Sequence, residues 1–310
     1  ILIVTRYTLF LLVLTTVVIS VLTLSYTKDI SIPTNIHGKH IDVNGTKIRV
    51  HQIGQGPDIL YIHASIGNLE DFEAVLPYLK NYRVTLFDRI GHGYSALPAA
   101  KADISNNARY ASDLIKILNL KNVIVVGHSY GGSIALKMAL NRDPDIKSLL
   151  LLAPAGYSLT STSKLEHLLA KPVIGLGLLR ILQPFMAETR LRNGLDASVT
   201  PNQPSLPANF INTRIKLWNN PGILYTRSQQ TSNVTEELND MQQHYADIKI
   251  PVTIFLGDKE AHQDIVQGCY LLNKNIKHSE LNIIRNAGHY LQYKEPALIA
   301  RAITHAVLTK

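Results

Sequence analysis

Apolar positions along this chain fall into short buried runs separated by amphipathic segments. From His40 to Gly45 and from Lys47 to Ile53, apolar and polar residues alternate around Asn44-Gly45, the pattern of a β-hairpin. Asp58–Ile62, Arg83–Phe87, Val123–Val126, Ile146–Leu152, Ile250–Gly257 and Leu281–Arg285 are near-continuous apolar runs, suited to strands covered on both faces. Between them, helical spacing is predicted over Asp71–Leu79, Asn107–Leu118, Ser133–Leu140, Ile265–Leu272 and Pro296–Leu308. In the second of these, Tyr110, Leu114, Ile115 and Leu118 share one face. Repeated strand–helix alternation implies an α/β fold, with a mainly parallel sheet between two helical layers. The rhythm stops from Tyr157 to Asp247, where helical pieces mix with loops such as Thr200–Pro204. We therefore expect a core in two parts, 28–156 and 248–310, interrupted by a mostly helical cap over 157–247. Such an insertion between strands covers the sheet edge where ligands bind.

One apolar run is of a different kind. From Tyr7 to Thr27 there is no charged residue, and a helix of about 20 residues crosses roughly 30 Å of hydrocarbon. No A-x-A-like cleavage site precedes Lys28, which favours an uncleaved membrane anchor over residues 1–27 rather than a signal peptide. Arg6 lies before the span, and Lys28 and Asp29 follow it. The positive-inside tendency then puts the catalytic domain outside the cytoplasm, in the periplasm or beyond the cell; cleavage would make the protein secreted. The stretch from Lys28 to His37 reads as a linker holding the domain off the lipid.

Composition adds two restrictions. The formal charge is +8, but the Lys and Arg residues are scattered without a basic run, so no nucleic-acid partner is expected. A basic balance toward anionic lipid fits the anchor better. The single cysteine, Cys269, excludes an internal disulfide framework and a cysteine zinc cluster, and its apolar setting suggests packing.

The chemistry concentrates at strand ends. Gly127-His128-Ser129-Tyr130-Gly131 fits G-x-S-x-G, with a buried strand before it and a helix after it. That context turns a common pattern into a nucleophile elbow, with the serine on a strained turn at a helix N-terminus. A serine nucleophile needs a base, and the base needs an orienting acid. Of twelve histidines, His289 directly follows the last strand, and Asp258 follows the strand before it. Ser129, Asp258 and His289 thus line one sheet edge, with Asp264 as the spare acid. His63 and His92 precede the nucleophile in strand-end loops and read as structural, and the side chain of His128 points away from its neighbour Ser129. Oxyanion donors are expected from the Tyr130 N–H and, in the loop after Ile62, the Ser65 N–H.

Together these stretches resemble the α/β-hydrolase fold superfamily, in its serine hydrolase, esterase- or lipase-like branch. The family's H-G-x-x-x loop corresponds to His63-Ala-Ser-Ile-Gly67, and its D-x-x-G-x-G-x-S turn to Asp88–Ser95. Its acid motif appears at Gly257-Asp258, its G-H at Gly288-His289, and its later E-P at Glu295-Pro296. Ala64 replaces the usual glycine, which would shift or tighten the oxyanion loop. Serine rather than aspartate at the elbow argues against the dehalogenase and epoxide-hydrolase branches. The resemblance implies acyl-enzyme hydrolysis of a small-molecule or lipid-like ester, with no metal or organic cofactor. A carbon–carbon bond hydrolase or peptidase of the same fold is the alternative within enzymes, and a non-catalytic ligand-binding protein the alternative outside them. Leu168–Ala170 and Val173–Leu182, with Phe185 and Met186, form the most apolar part of the cap, either an acyl pocket or packing onto the sheet.

Overall fold

The computed structural model describes residues 2–65, 67–158, 163–172, 174–199, 206–207 and 210–309. Ile66, Val173 and the 200–204 loop lie outside the described residues, as does the Met186 side chain.

In chain order the elements are α1 (Leu2–Leu24), β1 (Lys39–Val43), β2 (Thr46–Ile53), β3 (Asp58–Ile62), β4 (Arg83–Phe87), α2 (Ile104–Ile117), β5 (Val123–His128), α3 (Tyr130–Leu140) and β6 (Ile146–Leu152). Then come α4 (Lys164–Leu169), α5 (Gly175–Val199), α6 (Phe210–Trp218), α7 (Pro221–Met241), β7 (Val252–Gly257), α8 (Gln263–Asn275), β8 (Ser279–Ile284), α9 (Leu291–Lys294) and α10 (Pro296–Leu308). The eight strands form one sheet in the order β1-β2-β4-β3-β5-β6-β7-β8. The β1–β2 and β2–β4 pairs are antiparallel, and the rest are parallel. Asn44 and Gly45 both take positive φ, as the hairpin turn between β1 and β2 requires.

Strands β3 and β5 are buried along their whole length, which explains why their sequences lack alternation. From β3 the chain steps to β4 on one side and then crosses to β5 on the other, so the strand order reverses between β3 and β5. A crevice opens at such a switch point, outside the carboxyl ends of the strands. Ser65 follows β3 and Ser129 follows β5, one on each side of it.

The predicted helix over Asp71–Leu79 is instead two short 3₁₀ turns, Leu69–Phe72 and Leu76–Tyr78. Pro77 lacks the N–H needed to carry an α-helix through, and the turns bury Leu69 and Phe72 against the sheet. Helix α2 starts three residues before the expected Asn107, because Asp103 caps it through Asn106 N–H (2.8 Å).

Between β6 and β7 the described residues are helical or loop. Leu191, Leu195, Ile215, Trp218 and Ile223 form a small core of their own. The apolar stretch singled out in the sequence divides: Leu169, Leu176 and Leu179 are buried, while Leu168, Ile174, Ile181 and Phe185 are exposed.

Residues 26–28 do not form a spacer. Tyr26 Oη donates to Asn220 Oδ1 (2.7 Å) and accepts from Gly222 N–H (3.1 Å) at the start of α7. The Lys28 ammonium is buried and donates to the carbonyls of Gly91 (3.1 Å), His92 (3.2 Å) and Ser95 (2.6 Å). The expected linker therefore begins inside the folded domain. A lysine in so small a polar cradle carries no sequence signal, since its three acceptors are backbone carbonyls.

Candidate active site

Helix α3 begins at the residue after Ser129, and two glycines permit so sharp a turn. A Cβ on Gly131 would collide with Ile62 O, and one on Gly127 would stand 2.5 Å from Gly131 O. The end of β3, the end of β5 and the start of α3 can meet only without side chains at these two positions. Ser129 itself adopts φ 53°, ψ −116°, a strained conformation for a residue with a Cβ. Its N–H donates to Leu152 O (2.9 Å), and its carbonyl accepts from Gly132 N–H (2.8 Å) and Ala155 N–H (3.1 Å). These bonds hold the strain, leaving the half-buried hydroxyl at the crevice and the Tyr130 N–H at the positive end of α3.

His289 follows β8 and is almost wholly buried. Its Nδ1 meets Glu260 Oε2 at 2.7 Å. The acid on His289 is thus Glu260, where the sequence pointed to Asp258. Asp258 leaves β7 with its N–H on Ile284 O (3.0 Å) and its side chain exposed. The chain then turns, Glu260 N–H donating back to Gly257 O (3.2 Å), so that the residue two places on faces inward. Glutamate, one methylene longer than aspartate, spans the remaining gap. Asp264, the spare, sits in the first turn of α8 and accepts from Ile265 N–H (3.1 Å).

Burial pushes the Glu260 carboxyl up, but the charge and hydrogen bond of His289, with the His262 N–H on Oε1 (3.0 Å), outweigh it and hold the group at about 2. Glu260 is therefore a carboxylate whenever His289 needs a counter-charge.

His128 has a different task from His289. Its Nε2–H donates to His289 O (2.9 Å) and its Nδ1 accepts from Gln292 Nε2–H (3.3 Å), tying the elbow strand to the backbone that carries His289. Burial, then the neighbouring His289, pulls it down to about 3, so it stays neutral.

The loop expected to supply an oxyanion donor rests on Arg89 and His63. Arg89 donates from Nε to His63 O (3.1 Å) and from Nη2 to Ala64 O (2.9 Å), and its N–H donates to His63 Nε2 (2.9 Å). The His63 Nδ1–H closes onto Ala64 O (2.9 Å). The guanidinium also lies over the Tyr130 ring, 5.0 Å from its centroid. One fully buried arginine thus touches both segments expected to supply oxyanion donors, the loop before Ser65 and Tyr130. Its burial draws it down to about 10. Asp88 organises the turn behind, accepting from Leu69 N–H (2.9 Å) and Tyr94 N–H (2.8 Å) and pairing with Arg49 (3.1 Å). The D-x-x-G-x-G-x-S signature therefore marks a support for the site, and Arg89 and Glu260 are the residues that spacing alone missed. Among the described residues no three metal-ligating side chains converge.

The chain matches the family described as alpha/beta hydrolase fold over residues 57–296. It is 27% identical to the AB hydrolase superfamily protein YisY of Bacillus subtilis over 251 residues, 79% of this chain and 90% of that one. An esterase from Exiguobacterium antarcticum superposes with a TM-score of 0.70 at 23% identity, covering 88% of this chain and 100% of the esterase. A meta-cleavage product hydrolase from Pseudomonas fluorescens IP01 superposes with a TM-score of 0.72 at 19% identity, covering 87% and 97%.

Proposed function

Because the chain belongs to the α/β-hydrolase family, we propose that it is a serine hydrolase working through an acyl-enzyme on Ser129, with carboxylic esters as its substrates. The observation that carries this reading is the buried Glu260–His289 pair, whose His289 carbonyl is bonded to His128, the residue before a serine held at φ 53°. Glu260 fixes the proton on His289 Nδ1, which leaves Nε2 free to take the Ser129 proton. Ser129 attacks the substrate carbonyl, and the Tyr130 and Ser65 N–H groups hold the developing oxyanion. His289, now cationic against Glu260, protonates the departing alcohol and then draws a proton from water to release the acid. Helix α1 holds the enzyme to a membrane, with the catalytic domain outside the cytoplasm.

Carbon–carbon bond hydrolysis is the second reading. It is favoured by the likeness to a meta-cleavage product hydrolase and by Arg89 Nη1, a buried donor with no protein partner among the described residues. A ketonic substrate bearing a carboxylate would suit such a donor. Against it, Arg89 already spends Nε and Nη2 on the His63 and Ala64 carbonyls. The other buried guanidinium beside the site, Arg214, is paired with Asp71.

The test uses the full chain in detergent, with p-nitrophenyl esters of graded length set against a vinylogous 1,5-diketone acid. A serine-directed fluorophosphonate reports on the nucleophile. Ester turnover with labelling of Ser129 supports the first reading, and diketone turnover at a higher kcat/KM supports the second. Labelling absent from the folded chain would remove the serine mechanism from both.

A further inference from the structure

We infer that the face of the helical insertion formed by α4 and α5 rests on the lipid surface beside α1, so that the insertion is itself a membrane-contacting part of the enzyme. This rests on the reading of α1 as a membrane anchor. The argument starts from helix α5. Ile174 just before it and Leu178, Ile181 and Phe185 within it recur at i, i+4, i+7 and i+11, one stripe of a helix. Ile181 and Phe185 are 41% and 82% exposed, while Leu176 and Leu179 on the opposite side are buried. Leu165 and Leu168 of α4 extend the exposed apolar surface. A contiguous apolar face of this kind marks a contact with something other than water.

The occupant follows from where α1 lies. Gly177 faces α1 so closely that a Cβ there would stand 2.6 Å from Ile19 O and 2.8 Å from Thr23 Oγ1. Arg180, one turn on, donates to Leu22 O and to Ser25 Oγ (3.0 Å). The stripe lies roughly a quarter-turn around α5 from this contact line, counting about 100° per residue. It therefore flanks the carboxyl end of an apolar helix long enough to cross a bilayer, Arg6–Leu24.

The junction leaves no room for the domain to stand away. Helix α1 ends at Leu24, and Tyr26 is already bonded to Asn220 and Gly222 at the start of α7. Lys28 is bonded to the core at Gly91, His92 and Ser95. Two residues span at most about 7 Å of chain. If α1 ends at the headgroups, the insertion is held against them by a short, hydrogen-bonded strap. Lys164 and Lys171 stand exposed at the rim of the apolar face, the arrangement that suits anionic headgroups around a shallow apolar contact. An acyl ester dissolved in the leaflet would then meet the insertion without first crossing water.

The test reconstitutes the full chain in vesicles of phosphatidylcholine and phosphatidylglycerol. An environment-sensitive fluorophore is attached at Phe185→Cys or, as the control at the exposed carboxyl end of α2, at Ile117→Cys. Cys269 can remain, because burial pushes its thiol up to about 12 and shields it from the label. The expected result is blue-shifted emission at position 185, quenched by lipids spin-labelled near the headgroup, with neither effect at 117. A water-like signal at 185 overturns the inference, whether or not the chain stays with the vesicles after alkaline washing. A chain that washes off, yet gives the immersed signal beforehand, keeps the docking face and removes only the anchor. Shielding at 185 that rises with protein concentration in detergent, with cross-links between copies, assigns the face to a second copy and overturns the lipid.

Discussion

Replacing Glu260 by glutamine tests the active-site geometry most directly. The exchange keeps volume and one acceptor but removes the charge facing His289 Nδ1 at 2.7 Å. An amide can turn its NH₂ toward Nδ1, which moves the imidazole proton to Nε2 and leaves no lone pair for the Ser129 proton. The equivalent carboxylate-to-amide change in a serine triad lowers kcat by about 10⁴, four decades at about 1.4 kcal/mol each, or about 5.5 kcal/mol of transition-state stabilisation. Asp258→Asn alters an exposed side chain whose backbone N–H keeps its bond to Ile284 O, so its effect should stay within about 0.5 kcal/mol, or about twofold. Steady-state kcat on a short ester, with the rate of phosphonate labelling, separates the two. A second readout follows from linkage. The folded carboxyl lies at about 2 against an ordinary 4.5. The unfolded chain therefore binds the proton first, and the stability Glu260 contributes is present above 4.5 and lost as the pH falls toward 2. Melting curves for Glu260→Gln should lack that part of the acid slope. A Glu260→Gln enzyme of near-normal kcat beside an Asp258→Asn enzyme reduced a thousandfold would refute the assignment.

Ser129→Ala and His289→Ala should each cost on the order of 10⁴–10⁶ in kcat with the native circular-dichroism spectrum preserved, since members of such a group act as a unit, although His289→Ala also leaves Glu260 unpaired and should melt earlier; residual turnover near wild type in either would exclude the mechanism. Arg89→Lys keeps the charge but cannot hold the His63 and Ala64 carbonyls together, so kcat should fall by about 10- to 100-fold with KM little changed, because misplacing a donor by about 1 Å costs that much. An unchanged kcat, or a KM rise alone, would deny Arg89 its positioning role. His63, His92 and His128 are all held neutral by burial, well below their ordinary 6.5. The unfolded chain takes up these protons first, so stability should drop as the pH falls below 6.5, with a slope approaching about 4 kcal/mol per unit for three groups. Denaturant titrations that stay flat between pH 6.5 and 4.5 would contradict this.

Much of the framework was legible because burial on both faces forces continuous apolar runs. Val123–Val126, Ile59–Ile62 and Leu149–Leu152 are all at 1% exposure or less, and composition alone makes them strands of a parallel sheet. The placement of Ser129 and His289 at one edge was legible because strand ends of a parallel sheet share it. The acid could not be named, because the edge fixes only where the chain emerges from β7. Whether Asp258 or Glu260 faces inward depends on a turn closed by one bond, Glu260 N–H to Gly257 O. The segment Asp71–Leu79 failed for a related reason, since its apolar spacing is helical but Pro77 breaks the hydrogen-bond ladder. The Lys28–His37 linker failed because what seats Lys28 is three main-chain carbonyls, which have no residue type to read.

The histidines carry a more general point. Twelve of them left the base ambiguous by count, and the structure gives two of them one common task. A neutral imidazole presents one donor and one acceptor at fixed directions in a plane, so it can bridge a carbonyl on one loop to an N–H on another. His63 does this between Ala64 O and Arg89 N–H, joining the loops after β3 and β4. His128 does it between His289 O and the Gln292 amide, joining β5 to the segment after β8. A lysine or carboxylate could not serve, because each offers only donors or only acceptors and would bring an unpaired charge into a buried site. Burial then lowers the proton affinity of these rings and keeps them neutral. His289 differs in having a carboxylate on Nδ1, so that when it takes up a proton the positive charge has a buried partner. That one pairing sets His289 apart from the two struts, His63 and His128.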